Sequence, residues 1–81
     1  MENDTQLLRR YVQNRDQTAF TALVRLRIGL VYSIALRRVG GDVQLAEDVA
    51  QKVFTDLARK AATLDRRNTL AGWLYVGTHH V

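Results

Sequence analysis

The sequence predicts an all-α fold, a compact bundle of three to four helices in a single domain. The chain has 81 residues, which suits one small domain. It contains no proline and only five glycines, so nothing in it interrupts long helices. Apolar residues make up 47% of the chain and recur at helical spacing, which indicates a packed core. The pair Gly40-Gly41 stands where a helix is expected to end, since glycine readily adopts the left-handed conformation of a helix C-terminus.

The first two helices are predicted from their caps and their apolar spacing. Helix one is expected over residues 5–15, with Asp4 or Thr5 as its N-cap, because either side chain can accept a bond from a free backbone N–H. Helix two is expected over residues 17–39, with Asp16 as its cap. Its apolar arc is wide, which is typical of a central helix with more than one neighbour. The residues of this arc are Phe20, Leu23, Val24, Ile28, Val31, Tyr32, Ile34, Ala35, Leu36 and Val39.

The second half of the chain predicts two further helices joined by a short polar connection. Helix three is expected over residues 43–62, with Asp42 as its cap. Residues 63–68 form the connection, and helix four is expected to start after Asn68 or Thr69 and to run to the end of the chain. At about 100° per residue, helix three divides into two faces. The polar stripe holds Asp48, Gln51, Lys52, Thr55 and Arg59, and the opposite side holds Ala46, Val49, Ala50, Val53 and Leu57. Phe54 lies on the shoulder between them, where it either anchors a partner or belongs to the core.

The charge of the chain is compatible with nucleic acid as a partner. The net charge is +4, and ten of the twelve cations are arginines. Residues 1–41 hold seven arginines against three acidic residues. Arginine suits phosphate contacts because its planar fork bonds bidentately. A solvated surface that is merely rich in arginine is the alternative interpretation.

Other features indicate a cytoplasmic binding domain without a cofactor. The chain contains no cysteine, begins with the polar residues MEND, and has no apolar run that approaches the roughly 20 residues of a membrane span. We therefore expect a soluble, cytoplasmic protein with no membrane partner. His79 and His80 are adjacent and would point about 100° apart on a helix, with no third ligand evident, so no metal site is predicted. No arrangement typical of nucleophilic or acid–base catalysis is present, which argues against an enzyme.

An ordered set of segments resembles region 2 of bacterial sigma-70-class factors, in the extracytoplasmic-function (ECF) group. The segment LAEDVAQKVFTDLARK, from Leu45 to Lys60, resembles region 2.2, with its Ala-Glu-Asp, a glutamine three residues after the aspartate, then Val-Phe and Leu. Upstream, LLRRY from Leu7, Ala19-Phe20, Leu23 and VYSIA from Val31 resemble regions 1.2 and 2.1. Downstream, LAGWLY from Leu70 resembles region 2.3. The resemblance covers nearly the whole of residues 1–81, as one domain that ends at the start of region 2.4.

The resemblance implies a sigma factor domain that binds RNA polymerase core and recognises and melts the minus-ten promoter element. It implies docking of helix three on the clamp helices of the largest polymerase subunit, through Asp48, Gln51, Lys52, Phe54 and Thr55, with Leu57 pointing inward in support. It also implies that a base flipped from the single-stranded non-template strand is bound by the connection and its surroundings. These residues are Leu64, Asp65, Arg66, Arg67, Asn68 and Trp73. An anti-sigma factor is a further partner that the resemblance suggests.

Three points stay open at the level of sequence. Trp73 either contacts melted DNA or fills the core between helices four and two, and the second interpretation is favoured. Residues 68–81 hold no lysine or arginine, and a helix-turn-helix domain is absent from the 81 residues, so a fragment of a larger factor is expected. The alternative function is a small helical protein–protein interaction module without a role on DNA.

Overall fold

The bundle consists of four helices arranged around the second. The computed structural model describes residues 3–64 and 70–80, and in them it forms α1 (Asp4–Asn14), α2 (Gln17–Arg38), α3 (Val43–Leu64) and α4 (Leu70–His79), with no strand. Each of the other helices packs on α2. The Cα radius of gyration is 12.3 Å, close to the roughly 12 Å expected of a folded chain of this length. The prediction of an all-α bundle is confirmed.

The start of α1 differs from the prediction. The N-cap is Asn3, and neither Asp4 nor Thr5 takes that role. Asn3 Oδ1 accepts from the Gln6 backbone N–H at 2.9 Å, and Gln6 Oε1 accepts from the Asn3 N–H at 2.9 Å, which is a capping box. Asp4 is instead buried against α2, where its carboxylate accepts two bonds from the Arg27 guanidinium at 2.9 and 2.6 Å. This ion pair fixes the first turn of α1 on the middle of α2.

The predicted start of α2 is confirmed, and the helix ends at Arg38, one residue before its expected end, with Val39 as the C-cap. Asp16 is the N-cap, and its Oδ1 accepts from the Ala19 backbone N–H at 3.2 Å. Its Oδ2 accepts from Arg10 at 2.7 Å. The bond from Arg10 has the larger effect and the bond from Ala19 the smaller. Both favour the charged carboxylate, so they hold the pKa of Asp16 below its ordinary value. After the helix, Gly40 and Gly41 have φ angles of +66° and +86°, a left-handed conformation that favours glycine.

Helix α3 begins as predicted and runs two residues beyond its expected end. Asp42 Oδ1 accepts from the Leu45 backbone N–H at 3.1 Å, so its role as a cap is confirmed. The helix continues to Leu64 because this side chain falls on the same inner face as Leu57 and Ala61, and all three are buried. Thr63 and Leu64 therefore belong to α3 and not to the predicted connection.

The core lies along the inner faces of all four helices. Leu23 and Val31 of α2 are fully buried, and Tyr11 and Phe20 close the end near α1 with ring centroids 4.7 Å apart. The inward prediction for Leu57 is confirmed. The buried cluster is Leu7, Leu8, Ala19, Leu23, Val31, Ala50, Val53, Phe54, Leu57, Ala61, Leu64, Leu70 and Leu74.

Helix α2 is apolar enough to meet a length-and-composition test for a membrane span. The helix has 22 residues, and the most apolar 18-residue window in it has a mean hydropathy of 1.6, which differs from the expectation of no apolar run of that length. A central helix of a bundle passes the same test, and here α2 contacts α1, α3 and α4. Arg27, in the middle of α2, is paired with Asp4. We interpret α2 as the packing centre of the bundle.

Candidate functional site

An apolar groove runs between α2 and α3. It encloses about 660 Å³ and is formed by one residue from each of four successive turns of α2, together with the facing side of α3. The spacing of four residues keeps the α2 contribution on one flank of the helix. The α2 wall is Phe20, Val24, Ile28 and Tyr32, and the α3 wall is Glu47, Ala50, Gln51, Phe54, Thr55 and Ala58. We call this feature the α2–α3 groove.

The α2–α3 groove has an apolar floor and a polar rim. Phe54 is only 7% exposed and belongs to the core cluster, so it forms part of the floor. Ile28 of the α2 wall is 41% exposed. Glu47, Gln51 and Thr55 are exposed along the α3 side. An apolar trough edged by hydrogen-bonding groups suits an amphipathic helix laid along it.

The structure brings together three of the five residues predicted to bind polymerase core. Gln51, Phe54 and Thr55 line the α2–α3 groove. Asp48 is exposed but does not line the groove, and its carboxylate lies 3.4 Å from the Gln44 amide nitrogen. Lys52 lies on the other side of α3, with its Nζ 3.9 Å from Asp56 Oδ2. The predicted polar stripe is therefore wider than the groove.

Sequence reasoning did not identify the α2 wall as part of the site. The apolar spacing places Phe20, Val24, Ile28 and Tyr32 in a single wide arc that faces the core. The signal that could have identified this wall was the width of the apolar arc. The neighbouring helices cannot cover so wide an arc completely, so part of it is expected to remain exposed. The structure instead places these four residues along an open groove beside α3.

The residues predicted to bind DNA are only partly within the described ranges. Leu64 is the last residue of α3 and is buried in the core cluster, so its predicted place in the connection is wrong. Asp65, Arg66, Arg67 and Asn68 lie outside the described residues. Their assignment remains a prediction.

Trp73 is half-buried, packs against the core cluster and lines a shallow cleft of about 290 Å³ between α3 and α4. Its predicted contact with α2 stays a prediction. The cleft is also lined by Lys52, Val53 and Lys60 of α3. A Cβ at Gly77 would stand 3.9 Å from the indole ring, which is an ordinary van der Waals contact. Trp73 therefore joins α4 to α3 and keeps part of its ring exposed.

No group of three His, Cys, Asp or Glu side chains in the described ranges is arranged to hold a metal ion. The ring of His79 instead lies against that of Tyr75, with centroids 4.6 Å apart and planes inclined by 54°.

The fold and the groove define a helical interaction domain, and a comparison with protein families identifies it further. The family model for Sigma-70 region 2 matches residues 23–81. The match covers most of the chain, and the protein belongs to the sigma-70 region 2 family. Members of this family are domains of sigma factors that are involved in RNA polymerase binding and promoter melting. The family is not a class of enzymes. Neither the curated proteins nor the solved structures gave a match. Residues 3–22, which form α1 and the start of α2, lie outside the matched range.

Proposed function

We propose that residues 1–81 form the region 2 domain of an ECF-type sigma factor, which binds polymerase core and engages the melted minus-ten element. The family assignment supports the general function, and the ordered segments from Leu7 to Tyr75 support the ECF group. Because promoter recognition takes place on bacterial polymerase, the proposal places the protein in the cytoplasm. An anti-sigma factor that competes for the core-binding surface is part of the same proposal.

The observation that carries the proposal is the α2–α3 groove. The clamp helices of the largest polymerase subunit are a helical partner, and the groove has the form that a helix requires. Its length corresponds to four turns of α2, from Phe20 to Tyr32. Gln51 and Thr55 on the rim provide hydrogen-bonding groups, and Phe54 and Ile28 provide apolar contacts. Buried apolar contacts in such an interface are expected to supply most of the affinity. The polar groups of the rim are expected to fix the position of the partner helix along the groove.

Replacing Asp48 and Gln51 together with alanine is expected to weaken binding to polymerase core without unfolding the domain. Both side chains are exposed, so their removal should change the free energy of unfolding by no more than about 0.5 kcal/mol each. Affinity for purified core polymerase and far-UV circular dichroism measure the two effects. Gln13→Ala, which removes an exposed amide from α1, is the control and should bind like the wild type. Wild-type affinity in the double variant would remove these two residues from the interface.

The domain is also expected to prefer single-stranded, non-template-like oligonucleotides over duplex. The proposal assigns the flipped base to Asp65 and Asn68 and backbone phosphates to Arg66 and Arg67, since flipped bases are held by stacking and edge hydrogen bonds. Changing Asp65 or Asn68 should alter base preference more than overall affinity. Changing Arg66 or Arg67 should weaken all sequences alike and reduce the log–log salt slope by about 0.7 for each phosphate that is no longer neutralised.

Fluorescence anisotropy with oligonucleotides that differ at one base, at two salt concentrations, measures these effects. Tighter binding to duplex than to single strand would contradict the assignment, as would a base preference that Asp65 and Asn68 variants leave unchanged. A domain that binds neither polymerase core nor single strands would instead be a helical protein–protein interaction module, the alternative that the same groove allows.

A further inference from the structure

A second cleft lies at one end of the α2–α3 groove, where the turn between α1 and α2 meets the C-terminal half of α3. It encloses about 260 Å³ and shares Ala58 with the groove. The two features also meet through an aromatic contact, because Tyr11 lines the cleft, Phe20 lines the groove, and their ring centroids are 4.7 Å apart. We call this feature the α1–α3 cleft. A partner chain that lies in the groove can therefore continue into the cleft.

The α1–α3 cleft carries positive charge, whereas the α2–α3 groove does not. Arg15 and Arg59 line the cleft, and none of the described residues that line it is acidic. Of the described residues that line the groove, only Glu47 is charged, and it lies at the far end from the cleft. Glu47 and Arg59 are separated by about 18 Å along the axis of α3. This separation exceeds the screening length of about 8 Å at physiological ionic strength, so the two ends act on a partner separately.

The two arginines of the α1–α3 cleft are only weakly engaged within the domain. Arg59 Nη1 lies 3.8 Å from Asp56 Oδ1, and the Arg59 side chain is 75% exposed, so this pair contributes little to stability. Arg15 is exposed and forms no ion pair with any residue that the structure describes. Arg10, by contrast, is bound to Asp16 at 2.7 Å. The guanidinium groups of Arg15 and Arg59 are therefore available to an anionic partner.

The backbone of Arg15 does not explain why an arginine stands there. Arg15 is the C-cap of α1, and its φ of 52° and ψ of 40° are left-handed. Among the described residues it is the only one other than glycine with a positive φ. A side chain in this conformation costs free energy that glycine would not, and glycine is the usual residue at such helix ends. A contact between the guanidinium and a partner accounts for the arginine.

We infer that the α1–α3 cleft binds an acidic segment of the polymerase subunit whose helix lies in the α2–α3 groove, with carboxylates on Arg15 and Arg59. The inference rests on the proposed function, since it takes that helix to be the occupant of the groove. Carboxylates match the planar fork of a guanidinium. The acidic segment adjoins the partner helix at the Phe20 end, because Glu47 would repel it at the other end.

The test measures the affinity of the domain for purified polymerase core at low and at high salt. Arg15→Gln/Arg59→Gln should bind roughly fivefold more weakly than the wild type at low salt, and the loss should shrink at high salt because exposed ion pairs are screened. Arg15→Glu/Arg59→Glu should bind more weakly still, since its carboxylates would repel those of the partner. If the glutamate variant binds as well as the glutamine variant, the partner segment is not acidic and the inference is wrong.

Arg15→Gly separates a contact with the partner from a structural role. Glycine suits the left-handed backbone, so this variant should melt at the same temperature as the wild type or above it. It should nevertheless bind core about threefold more weakly at low salt, because one ion pair is lost. Wild-type affinity in Arg15→Gly would overturn the inference.

The matched control is Arg25→Gln/Arg38→Gln, which removes the same charge from two exposed arginines that line neither the groove nor the α1–α3 cleft. If this control weakens core binding as much as Arg15→Gln/Arg59→Gln does, only net charge matters and the inference is wrong. If Arg15→Gln/Arg59→Gln keeps its affinity for core but loses affinity for oligonucleotides, the cleft belongs to a nucleic-acid surface, which also overturns the inference.

Failure of this inference and failure of the proposed function give different results. A domain whose core binding is weakened by the Asp48/Gln51 double variant, but not by the variants of the α1–α3 cleft, keeps the proposed function and overturns the inference. A wild-type domain that does not bind core at all overturns both.

Discussion

Replacing Leu57 with alanine is expected to lower the free energy of unfolding by about 3–5 kcal/mol. Leu57 is 0% exposed and lies on the inner face of α3, against the core cluster. Truncation removes the transfer free energy of the side chain and leaves a cavity that the surrounding helices fill only in part. A domain of 81 residues has a total stability of roughly 4–12 kcal/mol, so the variant is expected to be close to unfolding. Urea denaturation followed by circular dichroism measures the difference.

Leu45→Ala is the control for that prediction. Leu45 is on the same helix but is 49% exposed, so its truncation should cost no more than about 0.5 kcal/mol. If the two leucine variants are equally stable, Leu57 does not occupy the core as the structure describes it.

Trp73→Ala is expected to lower the free energy of unfolding by about 2–3 kcal/mol, at or below the low end of the range for a fully buried tryptophan. The reason is its position: the ring packs against the core cluster and lines a cleft beside α3, but it is only half-buried. Thermal unfolding measures the decrease, and Trp73→Phe should recover about half of it by retaining an aromatic ring at the contact with α3.

Oligonucleotide binding by the same variants distinguishes a packing role from a direct contact with DNA. If Trp73→Ala remains as stable as the wild type but binds single strands more weakly, the ring acts on DNA and the structural interpretation is wrong. If Trp73→Ala loses stability but the fraction that stays folded binds single strands like the wild type, the ring acts through packing.

Much of the fold could be predicted because local chemistry marks its boundaries. Asp16 and Asp42 each precede an apolar periodic segment and do cap the helices that follow, and Gly40-Gly41 does end α2. The predictions fail where a long-range contact competes with a local one. Asp4 has the chemistry of a cap, but its carboxylate is used by Arg27, which is 23 residues away in the sequence, and Asn3 caps the helix instead.

The candidate site was harder to predict, because it depends on which part of a helix its neighbours leave uncovered. Periodicity places Gln51 and Thr55 correctly on the outside of α3, yet it cannot tell that Ile28 and Tyr32 border an open groove and not the core.

The affinity of Ile28→Glu for purified bacterial RNA polymerase core tests the central claim most directly. Ile28 is 41% exposed in the α2 wall of the α2–α3 groove, so a charge there should leave the fold intact but should be costly once a partner helix covers it. Leu26→Glu is the matched control, because Leu26 is 48% exposed on the same helix and does not line the groove. We expect Ile28→Glu to bind at least tenfold more weakly than the wild type, a change of about 1.4 kcal/mol, and Leu26→Glu to bind normally. Wild-type affinity in Ile28→Glu, with an unchanged circular dichroism spectrum, would contradict the assignment of the groove as the polymerase-binding surface.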